Sequence, residues 1–133
     1  MPRFVLLQHE CPLGRPRPTH FDLMLESGDA LATWTMSHLP SDWRSLVSRA
    51  ASDSVSESNC VAAERLADHR PAYLDYEGPV SGDRGHVRRL DAGTFSALQE
   101  PMTYSLDGQF IRGTIKLERV SDDAQWQLVF TGR

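Results

Sequence analysis

Residues 19–27, THFDLMLES, set the architecture. Phe21, Leu23 and Leu25 fall on one side of an alternating pattern, and His20, Asp22, Met24 and Glu26 fall on the other. A period of two marks a strand with one buried face, because successive side chains of an extended backbone point to opposite sides. His20 and Asp22 therefore point the same way, about 7 Å apart along the strand. Upstream, Phe4-Val5-Leu6-Leu7 is a second apolar run, followed closely by His9. If the two strands pair, His9 joins His20 and Asp22, and two imidazoles with a carboxylate can hold a divalent metal and leave positions for substrate. The plainer account is a solvated strand face beside a loop. Cys11 opens a rival in which His9, Cys11, His20 and Asp22 close a structural zinc site, although the separation lacks the shape of a zinc finger.

Working outward, residues 11–18 hold three prolines, a glycine and two arginines, Arg15 and Arg17, and form a loop. Arg3–Gln8 is a strand. Ser27-Gly28-Asp29 is turn chemistry, and Ala30–Met36 returns as a hairpin partner. Leu39-Pro40 ends it, and Ser41 is placed to N-cap a helix over Asp42–Ala51, with Trp43, Leu46 and Val47 at helical spacing. Ala51–Asn59 is a Ser-rich polar loop. Cys60–Asp68 stays open between helix and strand: its Ala, Glu, Arg and Leu favour helix, its shortness and position a strand. His69–Val80 is an irregular lead into another strand. Gly85–Leu90 alternates weakly, Asp91-Ala92-Gly93 turns it, and Phe95–Gln99 suits a helical turn. Met102–Leu106 and Gln109–Leu117 flank Asp107-Gly108, a strong hairpin signal. Ser121–Ala124 turns again, and Trp126–Phe130 is the last strand. These elements predict a mainly β chain: a small closed or partly open β-barrel of about seven or eight strands with one or two short flanking helices, a sandwich being the other arrangement of the same strands.

At 133 residues the chain is long enough for one core, and it shows no repeat, linker or second domain, so 1–133 is expected to be a single unit. No apolar run approaches a membrane span, and no signal-peptide core is present. Two cysteines are too few for a disulfide framework, which points to a reducing cytoplasm. A net charge of −4 argues against broad non-specific nucleic-acid binding, so any such contact is local. A second constellation lies downstream. His69 and Tyr73 are four apart, and a histidine beside a tyrosine can bind a phosphate oxygen or handle a proton. Arg84, His86, Arg88 and Arg89 form the densest basic patch, fit either to meet a phosphate backbone or to blunt an edge strand.

The segments FVLLQH, HFDLMLE, LATWTM, ADHRPAYLDYEG, LDAGTF and LDGQFIRGTIKLERV…WQLVF, in that order, resemble the 3′-phosphoesterase domain of bacterial DNA ligase D and its stand-alone relatives. That family carries a histidine after its first strand, then H-Y-D-F-R-L-E, L-K-S-W-A-V-P-K, E-D-H-P-L-D-Y-x-D-F-E-G and a W-D-x-G-T-W turn. The resemblance covers nearly the whole chain, and its specificity lies in order and spacing. It implies a β-barrel holding a divalent metal, usually manganese, that heals DNA 3′ ends before ligation by removing a terminal ribonucleotide or a 3′-phosphate; zinc is the ion that the Cys11 rival would take. Carried over residue by residue, it implies His9, His20 and Asp22 as metal ligands and His69 and Tyr73 as the essential histidine and tyrosine. It sets His38 where the family has a phosphate-contacting lysine and Arg65 on an arginine.

The departures bear on activity. Met24 stands where the family has an arginine that neutralises the substrate phosphate, and a thioether neither donates to a phosphate nor balances its charge. Losing such a contact weakens transition-state stabilisation. Arg15 or Arg17, in a loop longer than usual, is the candidate replacement. Glu26 is a candidate to order a ligand from behind. The expectation is thus a cytoplasmic, monomeric, metal-dependent phosphoesterase acting on DNA or RNA-tipped DNA 3′ ends, partnered by a DNA ligase or repair polymerase, with no membrane association. The alternative is a divergent, non-catalytic metal-containing module that binds nucleic-acid 3′ ends or a repair partner.

Overall fold

The alternation at residues 19–27 becomes strand β2 (His20–Ser27), flanked by β1 (Arg3–Glu10) and β3 (Ala30–Met36) in antiparallel register. The structure, a computed structural model, describes residues 1–11, 19–49, 55–80, 85–121 and 124–133, the side chains of 47–49 apart. Six more strands follow: β4 (Cys60–His69), β5 (Gly78–Pro79), β6 (His86–Ala97), β7 (Thr103–Gly108), β8 (Arg112–Arg119) and β9 (Gln125–Gly132). Their order is β1-β2-β3-β4-β9-β8-β7-β6, and β6 pairs back onto β1. Eight antiparallel strands therefore close a barrel, and β5 lies outside the ring on β6. The expected mainly β barrel is what forms, and it is fully closed.

Phe21, Leu23 and Leu25 turn inward as their spacing requires, joined by Phe4, Leu6, Trp34 and Leu128 in the main core. A second apolar cluster lies on the outer face, where Val5, Leu7, Met24 and Leu31 are covered by Leu74 of a short 3-10 segment, η2 (Pro71–Leu74). Strand β1 is thus buried on both faces, which explains why its apolar residues run without alternation.

The structure corrects several local expectations. Residues 41–49 form a 3-10 segment, η1 (Ser41–Arg49), rather than an α-helix, and it is interrupted at Trp43 (φ −90°, ψ 16°). Trp43 and Leu46 reach into the barrel core, with the Trp43 ring 5.4 Å from that of Phe130. Ser41 is not the cap. Its hydroxyl donates to Asn59 Oδ1 at 2.9 Å, and the same oxygen takes the Asp42 N–H at 2.9 Å. Residues 60–68, left open by composition, are a strand because both edges find partners, β3 and β9.

Strand β6 runs straight through Asp91-Ala92-Gly93 and Phe95, where a turn and a helical turn were expected. The buried Asp91 carboxylate accepts the backbone N–H groups of Ala92, Gln109, Phe110 and Ile111 at 2.8–3.3 Å. This pulls the following hairpin turn beyond Asp107-Gly108, to residues 109–111, and Gly108 N donates to Ile111 O at 2.8 Å. Gly108 is needed for close approach: a Cβ there would stand 2.5 Å from Asp91 Oδ2. Gly28, by contrast, makes the expected β2–β3 turn through its positive φ of 61°. Among the described residues, no helix is long and apolar enough to cross a membrane.

Candidate metal centre and adjoining cleft

The β1–β2 register sets His9 opposite His20 and Leu7 opposite Asp22. Directly opposed residues share a face, so the two imidazoles meet on the outside of the barrel, ring centroids 4.8 Å apart. Cys11 follows the end of β1, and its Sγ lies 4.0 Å from His20 Nδ1. Donor atoms of His9, Cys11 and His20 all fall within 4.8 Å of one another, so this trio could hold a metal ion. The expected pairing of His9 with His20 is present. The third donor grouped with them is Cys11.

Asp22 occupies the other side of the His20 ring: its Oδ2 is 3.8 Å from His20 Nε2. His20 and Asp22 are nearly buried, 5% and 4% exposed, and Asp22 Oδ1 has no hydrogen-bond partner among the described residues. A buried carboxylate oxygen without a donor is costly, and a nearby cation offsets that cost. The donor set and this orphaned oxygen both fit a divalent metal.

Beside His20 lies a cleft of about 240 Å³ that crosses β3 and β4 and is lined by Thr35, Ser37, Glu64 and Gln125. Register explains the lining, since Asp22, Thr35, Glu64 and Gln125 are opposed in turn across four strands. Thr35 Oγ1 is buried with no partner among the described residues. The sequence reading missed this cleft. Thr35 alternates with Trp34 and Met36, so once the hairpin is registered it must share the Asp22 face. Glu64 lay in the segment whose type composition left open. No lysine or arginine lines the cleft among the described residues.

The other candidates are more dispersed. His69 lies opposite Leu31, which itself opposes Glu26, six residues beyond His20 on β2. His69 and Tyr73 stay together, ring centroids 5.7 Å apart. His69 Nδ1 is 2.9 Å from Ala67 O, and because a carbonyl only accepts, that nitrogen carries the proton. Tyr73 packs on the outer apolar cluster. The segment bearing it is clasped to β1 by Arg3 Nη2 and Asp75 Oδ1 at 2.8 Å, an exposed pair that holds the Asp75 carboxyl below its ordinary value of 3.8.

Glu26 accepts the Arg3 N–H, far along the strand from the trio. Arg65 faces the opposite side of the sheet from Asp22: it pairs with Trp34, and its guanidinium lies 4.7 Å from that ring. It also donates to the Asp68 carboxylate at 3.0 Å. Stacking and this bond hold Arg65 on the side of the sheet away from Asp22. His38 is exposed beyond β3, in a hollow with Ser56 and Cys60 that shares Ser37 and Ala62 with the His20 cleft. Arg15, Arg17 and Arg84 lie outside the described residues. Within the basic patch, His86 faces Glu10 at 2.8 Å, and the Arg89 backbone N–H donates to Glu77 at 3.1 Å with its guanidinium 3.7 Å away. Acidic partners therefore interrupt the expected basic row. No protein-family model matches the chain, and no curated protein matches it.

Proposed function

We propose that the protein is a metal-dependent phosphoesterase that heals DNA 3′ ends by removing a 3′-phosphate or a terminal ribonucleotide. The meeting of His9 and His20 on one barrel face, with Asp22 against His20, carries the reading. The ordered resemblance to the ligase D 3′-phosphoesterase domain supplies the substrate class, and with it manganese on His9, His20 and Asp22. A bound divalent ion supplies Lewis acidity toward a phosphoryl oxygen and a lower pKa for water. His9 and His20 would fix the ion on the β1–β2 hairpin, and Asp22 would lend negative charge there. His69, its Nδ1 proton held by Ala67 O, presents Nε2 to hold a phosphate oxygen or move a proton, and the Tyr73 ring orients it. Burial of His20 keeps water from competing for that imidazole. A ligase or repair polymerase is the partner this role calls for, in the cytoplasm.

Two observations favour the second reading, a non-catalytic metal-containing module for 3′ ends or a repair partner. Met24 is sealed in the outer apolar cluster, and the cleft beside His20 has Glu64 but no arginine or lysine among the described residues. The deciding experiment follows phosphate release from a 3′-phosphorylated primer–template with manganese, for wild type and His20→Ala. Metal-dependent release that the variant lacks is expected. Wild type that binds metal yet releases nothing would replace the enzyme by the binding module.

A further inference from the structure

We infer that His9, Cys11 and His20 form a two-nitrogen, one-sulfur centre for a zinc-class ion, with Asp22 acting on His20 from behind instead of ligating. The argument turns on which ring nitrogen of His20 faces which neighbour. Nδ1 is 4.0 Å from Cys11 Sγ, whereas Nε2 is 3.8 Å from Asp22 Oδ2. The two nitrogens of an imidazole project in divergent directions, so one ion cannot take His20 together with both Cys11 and Asp22. His9, Cys11 and His20 each bring one donor atom into a group that spans no more than 4.8 Å. Zinc bonds of about 2.3 Å to sulfur and about 2.1 Å to nitrogen put tetrahedral neighbours about 3.6 Å apart, so a small contraction of the trio suffices.

With Nδ1 on the ion, Nε2 must carry the proton, and Asp22 is placed to receive it. Its Oδ2 stands about an ångström beyond hydrogen-bond length, and a carboxylate on the distal nitrogen of a ligating histidine fixes the tautomer and raises ligand basicity. A thiolate in the set selects a borderline-soft ion over manganese, which prefers oxygen. Three protein donors match the number that catalytic zinc sites use, one fewer than structural sites. The ion would sit beside the cleft that His20 shares with Thr35 and Glu64.

The inference keeps the His9–His20 pair of the proposed function but replaces Asp22 and manganese with Cys11 and a zinc-class ion, and its test reads binding without turnover. The full chain is titrated with cobalt(II), a spectroscopic stand-in for zinc, and near-ultraviolet thiolate-to-cobalt charge transfer and visible ligand-field bands are recorded. Wild type is expected to show both, displaced by one equivalent of zinc. Cys11→Ser should lose the charge-transfer band. Asp22→Asn should keep it while binding about 10–100-fold more weakly. Wild type that binds no cobalt, or binds it without the charge-transfer band, overturns the inference. So does Asp22→Asn that is folded by circular dichroism and binds nothing while Cys11→Ser binds as wild type does. If Asp22→Asn does not fold, wild type against Cys11→Ser still decides. Phosphate release with no charge-transfer band counts against this inference alone; the band without release counts against the phosphoesterase alone.

Discussion

The Met24 thioether, 1% exposed, packs with Val5, Leu7 and Leu31 under Leu74. Restoring the arginine of the resembling family would drive a guanidinium into that cluster. An ionised group buried without a partner costs about 3–5 kcal/mol, so Met24→Arg should lower the urea midpoint accordingly and leave phosphate release no higher. A variant as stable as wild type, with raised release, would show instead that position 24 opens onto the site. The same position marks what the sequence could disclose. Alternation put Met24 on the face of His20 and Asp22, and that is correct. It could not reveal that η2, distant in sequence, covers this part of the face with Leu74. Likewise the pairing of His9 with His20 was legible from two adjacent strands. The orientation of the His20 ring, with Cys11 on one nitrogen and Asp22 on the other, was not, because side-chain torsions leave no trace in spacing.

Among the elements, η2 depends on an exposed clasp whose pH response has a definite sign. Arg3 hydrogen-bonds Asp75 and lowers its carboxyl pKa from 3.8, so the folded state binds that proton less readily than the unfolded chain. The stabilisation is therefore full above that value and is lost as pH falls below it, through the depressed folded value. Amide exchange in residues 71–76 should speed up over that acid range in wild type. In Arg3→Ala exchange should already be faster above that range, with the acid-dependent step reduced; identical profiles would mean that the clasp does not hold the segment.

Asp91 is the stronger fastening, because one buried carboxylate takes four backbone N–H groups from β6 and the β7–β8 turn. Asp91→Ala should destabilise by about 3 kcal/mol or more, and Asp91→Asn by less, read from urea midpoints. A loss within about 0.5 kcal/mol for the alanine variant, the range of an ordinary surface change, would contradict this role. Asp91-Ala92-Gly93 is turn chemistry by local rules, and the sequence reading placed a turn there. The carboxylate serves a turn 18 residues away in the chain, a use that local rules cannot register. Cys60–His69 shows the same override: a composition open to helix became strand because two neighbours offered hydrogen bonds along both edges.

For the molecule as a whole, the barrel was legible because most strands announce themselves by alternation and are bounded by turn residues, as at Ser27-Gly28-Asp29. Full closure was not, since it rests on β1 meeting β6, a pairing between runs that are remote in sequence and shifted in register between Leu6 and Leu7. That arrangement separates two events in time. The β1–β2 hairpin, with all three donors of the metal trio, is contained within residues 3–27, while the strand that covers the other edge of β1 spans residues 86–97. Long-range pairing is slow, and meanwhile the uncovered edge is a template for incorrect strand addition. A slip of one residue between β1 and β2 would send His9 and His20 to opposite faces and dissolve the trio. An ion gripped by these side chains would act as a proofreader of alignment, since it would bind only the correctly registered hairpin and hold that register until the ring closes.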